Sequence, residues 1–363
     1  MLKERNNTKL IYIEAMRIIA CFFVIYNHSS AYHEFLNPGN MQSVRRFAYM
    51  LVSAVTKFSV PLFFMISGAL LLKKSESIKE VLHKRLPKIL IAILFVDSVI
   101  YGIICLAEMR SGNRHGISLE FFIRGMLNND LPGTVSYWFL YLYAAFILVL
   151  PILQRIAHGL TGSEILILVG CLAVKRCLIP LLNLVLYMLH KNPIQLYLPI
   201  PLLDDTIIFP LIGYYLDQRL DVSKLKKTHV LEIIGSCILG AVLACVLTYY
   251  DKEANGSFSQ NYIGAFNWLQ AASVFILVKY FVEFRFNGHF EGKLGKFIVL
   301  CGSLTFGVYL FDPILKWFPM YSIFPIASVS PFREAVKWCL LSMIIGGMIT
   351  WILKRIPILR KFI

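Results

Sequence analysis

Charge is scarce in this chain. Only 16% of its 363 residues are Asp, Glu, Lys or Arg, and 21 acidic residues stand against 36 basic ones. A soluble domain carries nearer a quarter, so a soluble globular fold is excluded. Enzyme signatures are missing as well. The sequence holds no Gly-rich phosphate loop, no Gly-x-Ser-x-Gly elbow and no paired metal-ligand spacing. That removes most soluble enzyme classes and gives no reason to expect a metal. No Cys-x-x-Cys pair occurs. Cys21, Cys105, Cys171, Cys177, Cys237, Cys245, Cys301 and Cys339 lie in or beside apolar segments. They read as small buried hydrophobes, with neither a disulfide framework nor a zinc site. No small-residue cleavage pattern follows the first apolar run, which is expected to stay as an uncleaved first span. Internal repeats, low-complexity linkers and a separate soluble domain are also lacking.

What the chain has is apolar length. It is 58% hydrophobic, and long apolar stretches recur from end to end. The expected fold is all-α: a polytopic membrane helix bundle of about ten transmembrane helices. The spans run from about Leu10 to Ala31, Phe47 to Leu72, Ile89 to Ala107, Val135 to Leu153, Glu164 to Pro180, Asp204 to Leu216, His229 to Tyr250, Tyr262 to Phe284, Phe297 to Leu315 and Glu334 to Leu353. Basic residues concentrate in alternate loops and at both termini, which places both termini in the cytoplasm. This pattern also disposes of nucleic acid as a partner. The net charge of +15 sits in short loops, where it sets topology. Within the spans, Pro61 predicts a kink and Ser67-Gly68 a close helix crossing. Pro210 and Gly213 predict a broken sixth span. Lys175-Arg176 is expected near the outer surface, and Phe121-Phe122-Ile123 predicts a surface helix. Outer loops are expected around Pro38 and around Pro319 and Pro325.

The candidates for functional polarity inside the spans are Glu14, Arg17, His28, Lys57, Asp97, Asp204, Asp205, Glu283 and Asp312. Ionisable residues at membrane depth are expensive and mark functional sites by default. Arg17 and His28 are eleven positions apart. That is about three helical turns, so they share one stripe of the first span, roughly 16 Å apart along its axis. Glu14 lies one turn before Arg17, at a spacing that lets the two pair. Two readings stay open on spacing alone. The stripe faces a wet cavity, or Arg17 snorkels to the headgroups while His28 marks the helix end.

Five stretches then align with a known pattern. Arg17 is followed by ten residues and His28. Phe58-Ser-Val-Pro-Leu-Phe-Phe-Met-Ile-Ser-Gly lies in the second span, and Lys84-Arg85-Leu86-Pro87 closes a basic loop. Tyr137-Trp138-Phe139-Leu140-Tyr141 opens the fourth span, and Ser303-Leu-Thr-Phe-Gly-Val-Tyr-Leu-Phe lies in the ninth. In this order, along essentially the whole chain, they resemble the acyltransferase 3 family of integral membrane acyltransferases. Where that family often has His after the last motif, this chain has Asp312.

The resemblance implies one integral membrane acyltransferase domain over residues 1–363, multi-pass in the cell membrane. It implies acetyl-CoA as acyl donor, taken from the cytoplasm, and a hydroxyl of a cell-surface glycan or lipid-linked sugar as acceptor. Besides these two and membrane lipids, it implies no other partner. Under it His28 is the general base, Arg17 steers the thioester arm and Glu14 orients Arg17. Lys84 and Arg85 become candidates for the CoA phosphates, since Arg pairs bidentately with phosphate. Ordinary positive-inside charge explains them equally. Ser67 helps hold the donor or packs between helices. Trp138 and Tyr141 stack on the sugar or belong to an interfacial aromatic belt. Tyr309 and Asp312 line the acceptor side or are satisfied polar groups of the bundle. A secondary transporter for an anionic or sugar-like solute is the rival class, because transporters bury charge beside broken helices. A non-catalytic membrane scaffold is the third.

Overall fold

The computed structural model describes residues 2–37, 39, 41–111, 118–197, 199–285, 292–316, 331–357 and 359–361. Pro38 and the expected loop around Pro319 and Pro325 lie outside them. Every regular element among the described residues is helical. α1 spans Leu2–Asn27, α2 Ser43–Thr56, α3 Ser59–Leu71, α4 Leu86–Ser111, α5 Leu119–Asn128 and α6 Trp138–Gly159. α7 (Gly162–Ala173) passes through a π turn, Val174–Leu178, into α8 (Ile179–Met188). α9 spans Asp205–Arg219, α10 Lys227–Asn255, α11 Asn267–Tyr280, α12 Lys293–Lys316 and α13 Pro331–Leu353.

Eight helical segments among the described residues are long and apolar enough to cross a bilayer. They lie where the sequence places spans one to five, seven, nine and ten. At spans six and eight the chain is helical but shorter. α9 has 15 residues, and α11 has 14, with the π turn Phe281–Arg285 after it. Apolar side chains stand exposed at Leu90 and Leu94 on α4, Leu231, Ile234 and Ile238 on α10, and Leu340, Ile344 and Met348 on α13. Their recurrence every three or four residues makes stripes suited to lipid. The protein is a polytopic all-α membrane protein.

The chain divides into two compact units. The first contains Met1–Ser75 and Ile152–Gly302, the second Glu76–Pro151 and Ser303–Ile363. In the first unit, α3 and α9 cross in backbone contact. A Cβ on Gly68 would fall 1.9 Å from the Pro210 carbonyl oxygen, and one on Gly213 would fall 2.0 Å from that of Met65. Only glycine at both positions allows this approach, so the Ser67-Gly68 expectation holds.

The expected break in span six does not occur. α9 runs unbroken through Pro210, as proline-bearing membrane helices do when their neighbours pack closely. Asp204 caps its start, accepting a hydrogen bond from the Thr206 amide at 2.9 Å. Lys279 of α11 closes its end, where Nζ donates to the carbonyls of Leu216, Asp217 and Leu220 at 3.1, 2.9 and 3.1 Å. The Tyr12 hydroxyl donates to the Asp217 carboxylate and ties α1 to the same point.

Span two departs from regular helix where the kink is expected. Between α2 and α3 the helix opens into a turn at Lys57 and Phe58. Pro61 explains the position, because a proline ring excludes the carbonyl of the residue four earlier, here Lys57. Span five extends past its expected end at Pro180 to Met188. Pro180 sits in the first turn of α8, where a missing N–H is tolerated. Arg176, in the π turn before it, binds the Asp205 carboxylate and reaches Asn267 Oδ1 at 3.4 Å.

In the second unit α5 is the surface helix expected at Phe121-Phe122-Ile123, capped by the Ser118 hydroxyl on the Phe121 amide at 3.0 Å. The start of α6 is latched to α12 by two tyrosines. Tyr137 donates to the Leu310 carbonyl at 2.7 Å, and Tyr309 to that of Ser136 at 2.9 Å.

Candidate functional site

α1 contains neither Gly nor Pro, and its helix is uninterrupted from Leu2 to Asn27. Within it Glu14 and Arg17 pair as the spacing predicts, with Nη1 to Oε1 at 2.7 Å. Glu14 is buried at 4% exposure, whereas about a third of the Arg17 side chain is open. Gly302 supports the pair from α12. A Cβ there would lie 2.5 Å from both Cβ and Oε2 of Glu14. The Glu14 Oε2 atom is buried and has no hydrogen-bond partner among the described residues.

The helix closes earlier than the expected end at Ala31. Ser29 turns its hydroxyl back to the Tyr26 carbonyl at 2.6 Å, the kind of local bond that competes with helix continuation. His28 is therefore the first residue beyond α1. Its amide still reaches back to Val24 and Ile25 at 3.2 and 3.1 Å, so it stays close to its helical position above Arg17. Asn27, beside it, donates from Nδ2 to the Thr56 carbonyl and to Ser59 Oγ, both at 3.2 Å. These bonds fix the end of α1 against the interruption between α2 and α3. Ser67, the fourth candidate in this unit, donates to the Phe63 carbonyl of its own helix at 2.9 Å.

The remaining candidates lie in the second unit. Arg85 holds Glu76 bidentately, Nε to Oε2 at 2.9 Å and Nη2 to Oε1 at 2.7 Å. Its phosphate-matching edge is thus occupied by a carboxylate. Lys84 is exposed and stands 3.6 Å from Glu80. Trp138 is exposed at the start of α6. Tyr141 contacts the Met126 carbonyl at 2.5 Å and the buried Asp97 carboxyl at 3.0 Å. Tyr309 packs edge-on to Tyr137 and Phe139, with centroids 6.0 Å apart in each pair. Asp312 is fully buried and accepts from Trp338 Nε1 and Ser342 Oγ, each at 2.9 Å, while Lys316 lies 3.3 Å away.

The structure therefore gathers Glu14, Arg17 and His28 along α1, and gathers Tyr309 and Asp312 along α12. Sequence reasoning gave no role to Asn27, Gly302 or Tyr137. It named Lys57 and Asp97 as polar groups without a task. Gly302 had no signal beyond being small. Asn27 could have been found by its place next to His28.

The chemistry available along α1 is that of a fixed guanidinium with an imidazole at the end of the same helix. An imidazole can take a proton from an attacking hydroxyl. A helical membrane protein with such a pair on its first span is a candidate for group transfer at the bilayer. A family model described as an acyltransferase domain matches residues 10–352, through both compact units. The chain belongs to the acyltransferase 3 family. No curated protein and no solved structure matches it.

Proposed function

We propose that this membrane acyltransferase moves an acetyl group from acetyl-CoA on the cytoplasmic side to a hydroxyl of a cell-surface or lipid-linked glycan, in the cell membrane. The observation that carries this is the α1 arrangement: a buried carboxylate holding Arg17, and His28 at the end of the same helix, in a chain of this family. His28 accepts the proton of the acceptor hydroxyl as that oxygen attacks the thioester carbonyl. The C–S bond then breaks, and the CoA thiolate leaves with the proton returned from the imidazolium. Glu14 keeps Arg17 in place, and Arg17 steers the thioester arm. Lys84 and Arg85 take the CoA phosphates, which requires Arg85 to exchange Glu76 for phosphate. Trp138 and Tyr141 face the sugar, while Tyr309 and Asp312 are satisfied polar groups of the bundle.

The transporter reading drew on a broken sixth span. The continuous α9 removes that support. The test is transfer of labelled acetyl from acetyl-CoA to membrane glycans by purified protein in liposomes. Wild type should label glycan. His28→Ala should lose roughly 100-fold or more in turnover, the scale of a missing general base, while acetyl-CoA still binds. If wild type neither binds nor consumes acetyl-CoA, the reading fails.

A further inference from the structure

Asp97 is an acid carried inside the segment Ile78–Arg110, which is long and apolar enough to span a bilayer, and the proposed transfer gives it no task. It is 1% exposed. Among the described residues no cation pairs with it, and its Oδ1 is buried without a hydrogen-bond partner. Its Oδ2 lies 3.0 Å from the Tyr141 hydroxyl oxygen, and that same oxygen lies 2.5 Å from the Met126 carbonyl oxygen.

A count of hydrogens gives the state of this group. A tyrosine hydroxyl has one hydrogen. Two oxygens at 2.5 Å repel each other unless a hydrogen lies between them, so the Tyr141 hydrogen points at Met126. The Tyr141 oxygen then faces Asp97 with lone pairs only. A carboxylate there would set acceptor against acceptor, and would leave an oxygen of a charged group orphaned at membrane depth, which is costly. A carboxylic acid fits. Its O–H donates to Tyr141, and its remaining neutral oxygen costs less to leave unpaired. The bonds run one way, from Asp97 of α4 through Tyr141 of α6 to Met126 of α5.

This chain of bonds holds the last turn of a surface helix. At the start of α5, Tyr101 of α4 donates to the Ser118 carbonyl at 2.9 Å, and its ring lies 5.0 Å from that of Phe122. At the other end, Met126 accepts from Tyr141, and the amide of Asn129, in the left-handed conformation, reaches the same carbonyl at 3.3 Å. α5 has ten residues, too few to stay helical alone in water, so its end depends on what it is tied to. The other titratable groups nearby are tyrosines and satisfied ion pairs. Tyr137 of α6 lies within electrostatic reach of Asp97, Tyr309 and Asp312, and Asp312 has Lys316 at 3.3 Å. On the exposed side of α5, Glu120 and Arg124 pair with each other at 2.9 Å.

We infer that Asp97 is a proton-operated latch on α5. With its proton on, Asp97 donates to Tyr141, and Tyr141 holds Met126. With the proton off, Tyr141 turns its hydrogen to the carboxylate, Met126 is released and the last turn of α5 opens. The proton leaves by relay. Tyr141, which is half-buried, gives its hydrogen to water as its oxygen takes that of Asp97, so Tyr141 ends neutral and one proton goes to solvent. The latch stands apart from the acyl-transfer reading and needs no substrate.

Hydrogen–deuterium exchange of the full chain in nanodiscs tests it, across a series from about pH 5 to about pH 9, which spans the values that buried carboxyls reach. Rates are taken relative to α13 of the same molecule, which removes the pH dependence common to all amides. In wild type, amides 127–130 should be protected on the acid side and exchange about fivefold faster on the alkaline side, the scale of one hydrogen bond. Asp97→Asn donates as the acid does and has no proton to lose, so its protection should persist through the series. Tyr141→Phe should exchange fast throughout. Unchanged exchange in α13 shows that both variants are folded. The infrared stretch of a protonated carboxyl, taken as wild type minus Asp97→Asn, should disappear at the same pH as the protection. Relative exchange that stays flat in wild type overturns the latch. So does a step that survives in Asp97→Asn, an Asp97→Asn protein open at every pH, a Tyr141→Phe protein that keeps its protection, or the absence of the infrared band on the acid side.

Discussion

Asp312 and Lys57 are both charges carried into membrane-spanning segments, and their surroundings treat them in opposite ways. In the second unit Asp312 is fully buried but served by an indole N–H, a hydroxyl and an ammonium. In the first unit Lys57 has a ring face and, among the described residues, no acid paired with it. A saturated buried charge holds helices together, and an unsaturated one is kept for something that arrives. The same contrast separates the tyrosines at the start of α6 and in α12, whose hydroxyls go to backbone carbonyls, from Glu14 and Asn27. Each of those has one buried oxygen unclaimed among the described residues.

The largest effect that could break this division comes from Asp312→Ala. It strips the acceptor from Trp338 and Ser342 at once. Losing one member of a buried charged network typically costs about 3–5 kcal/mol. Thermal unfolding in detergent should move down strongly, while turnover per folded molecule stays close to wild type. A variant of normal stability with lost transfer activity would place Asp312 with the waiting charges instead.

A smaller effect is expected where packing meets chemistry. Gly302→Ala puts a methyl 2.5 Å from the Glu14 carboxylate. Either Glu14 or α12 must then shift, and Arg17 loses its anchor at 2.7 Å. Overpacking of this kind costs about 1–3 kcal/mol. Turnover should fall roughly tenfold, a milder loss than from His28→Ala, because positioning is disturbed and the base is kept. Labelled acetyl transfer at saturating acetyl-CoA reads this directly. Unchanged turnover would mean that the Glu14–Arg17 pair is structural only.

These contrasts also show what could be read before the fold was known. The bundle was legible because the apolar runs are long, and in lipid an all-helical answer leaves few alternatives. The Glu14–Arg17 pair was legible because three-residue spacing on a helix needs no tertiary information. The fate of Pro210 was not. Whether a proline breaks a helix depends on its neighbours, and here the neighbour is the α3 backbone packed against it through Gly68. Lys57 stood out as a charge in an apolar run, but the anchoring of its turn to the end of α1 depends on a hydrogen bond between residues 27 and 56. Asp312 was flagged by a departure from a motif. Its partners, Trp338 and Ser342, come from α13, about one helix further along.

Arg85 lies between the two extremes, and it offers the finest test. Its guanidinium is satisfied by Glu76 at 2.7 Å, yet a quarter of its side chain stays open. If CoA phosphates bind there, Glu76 is a competitor that they displace. Removing that competitor should help. A partly exposed ion pair is worth about 0.2–1 kcal/mol, so Glu76→Gln should tighten acetyl-CoA about two- to fivefold. Arg85→Gln should weaken it, more at low salt than at high, since exposed charges are screened. Calorimetric titration of both variants with acetyl-CoA decides the matter. If neither changes the affinity, Arg85 joins Asp312 among the charges that only hold the fold, and the donor phosphates must find their cation elsewhere.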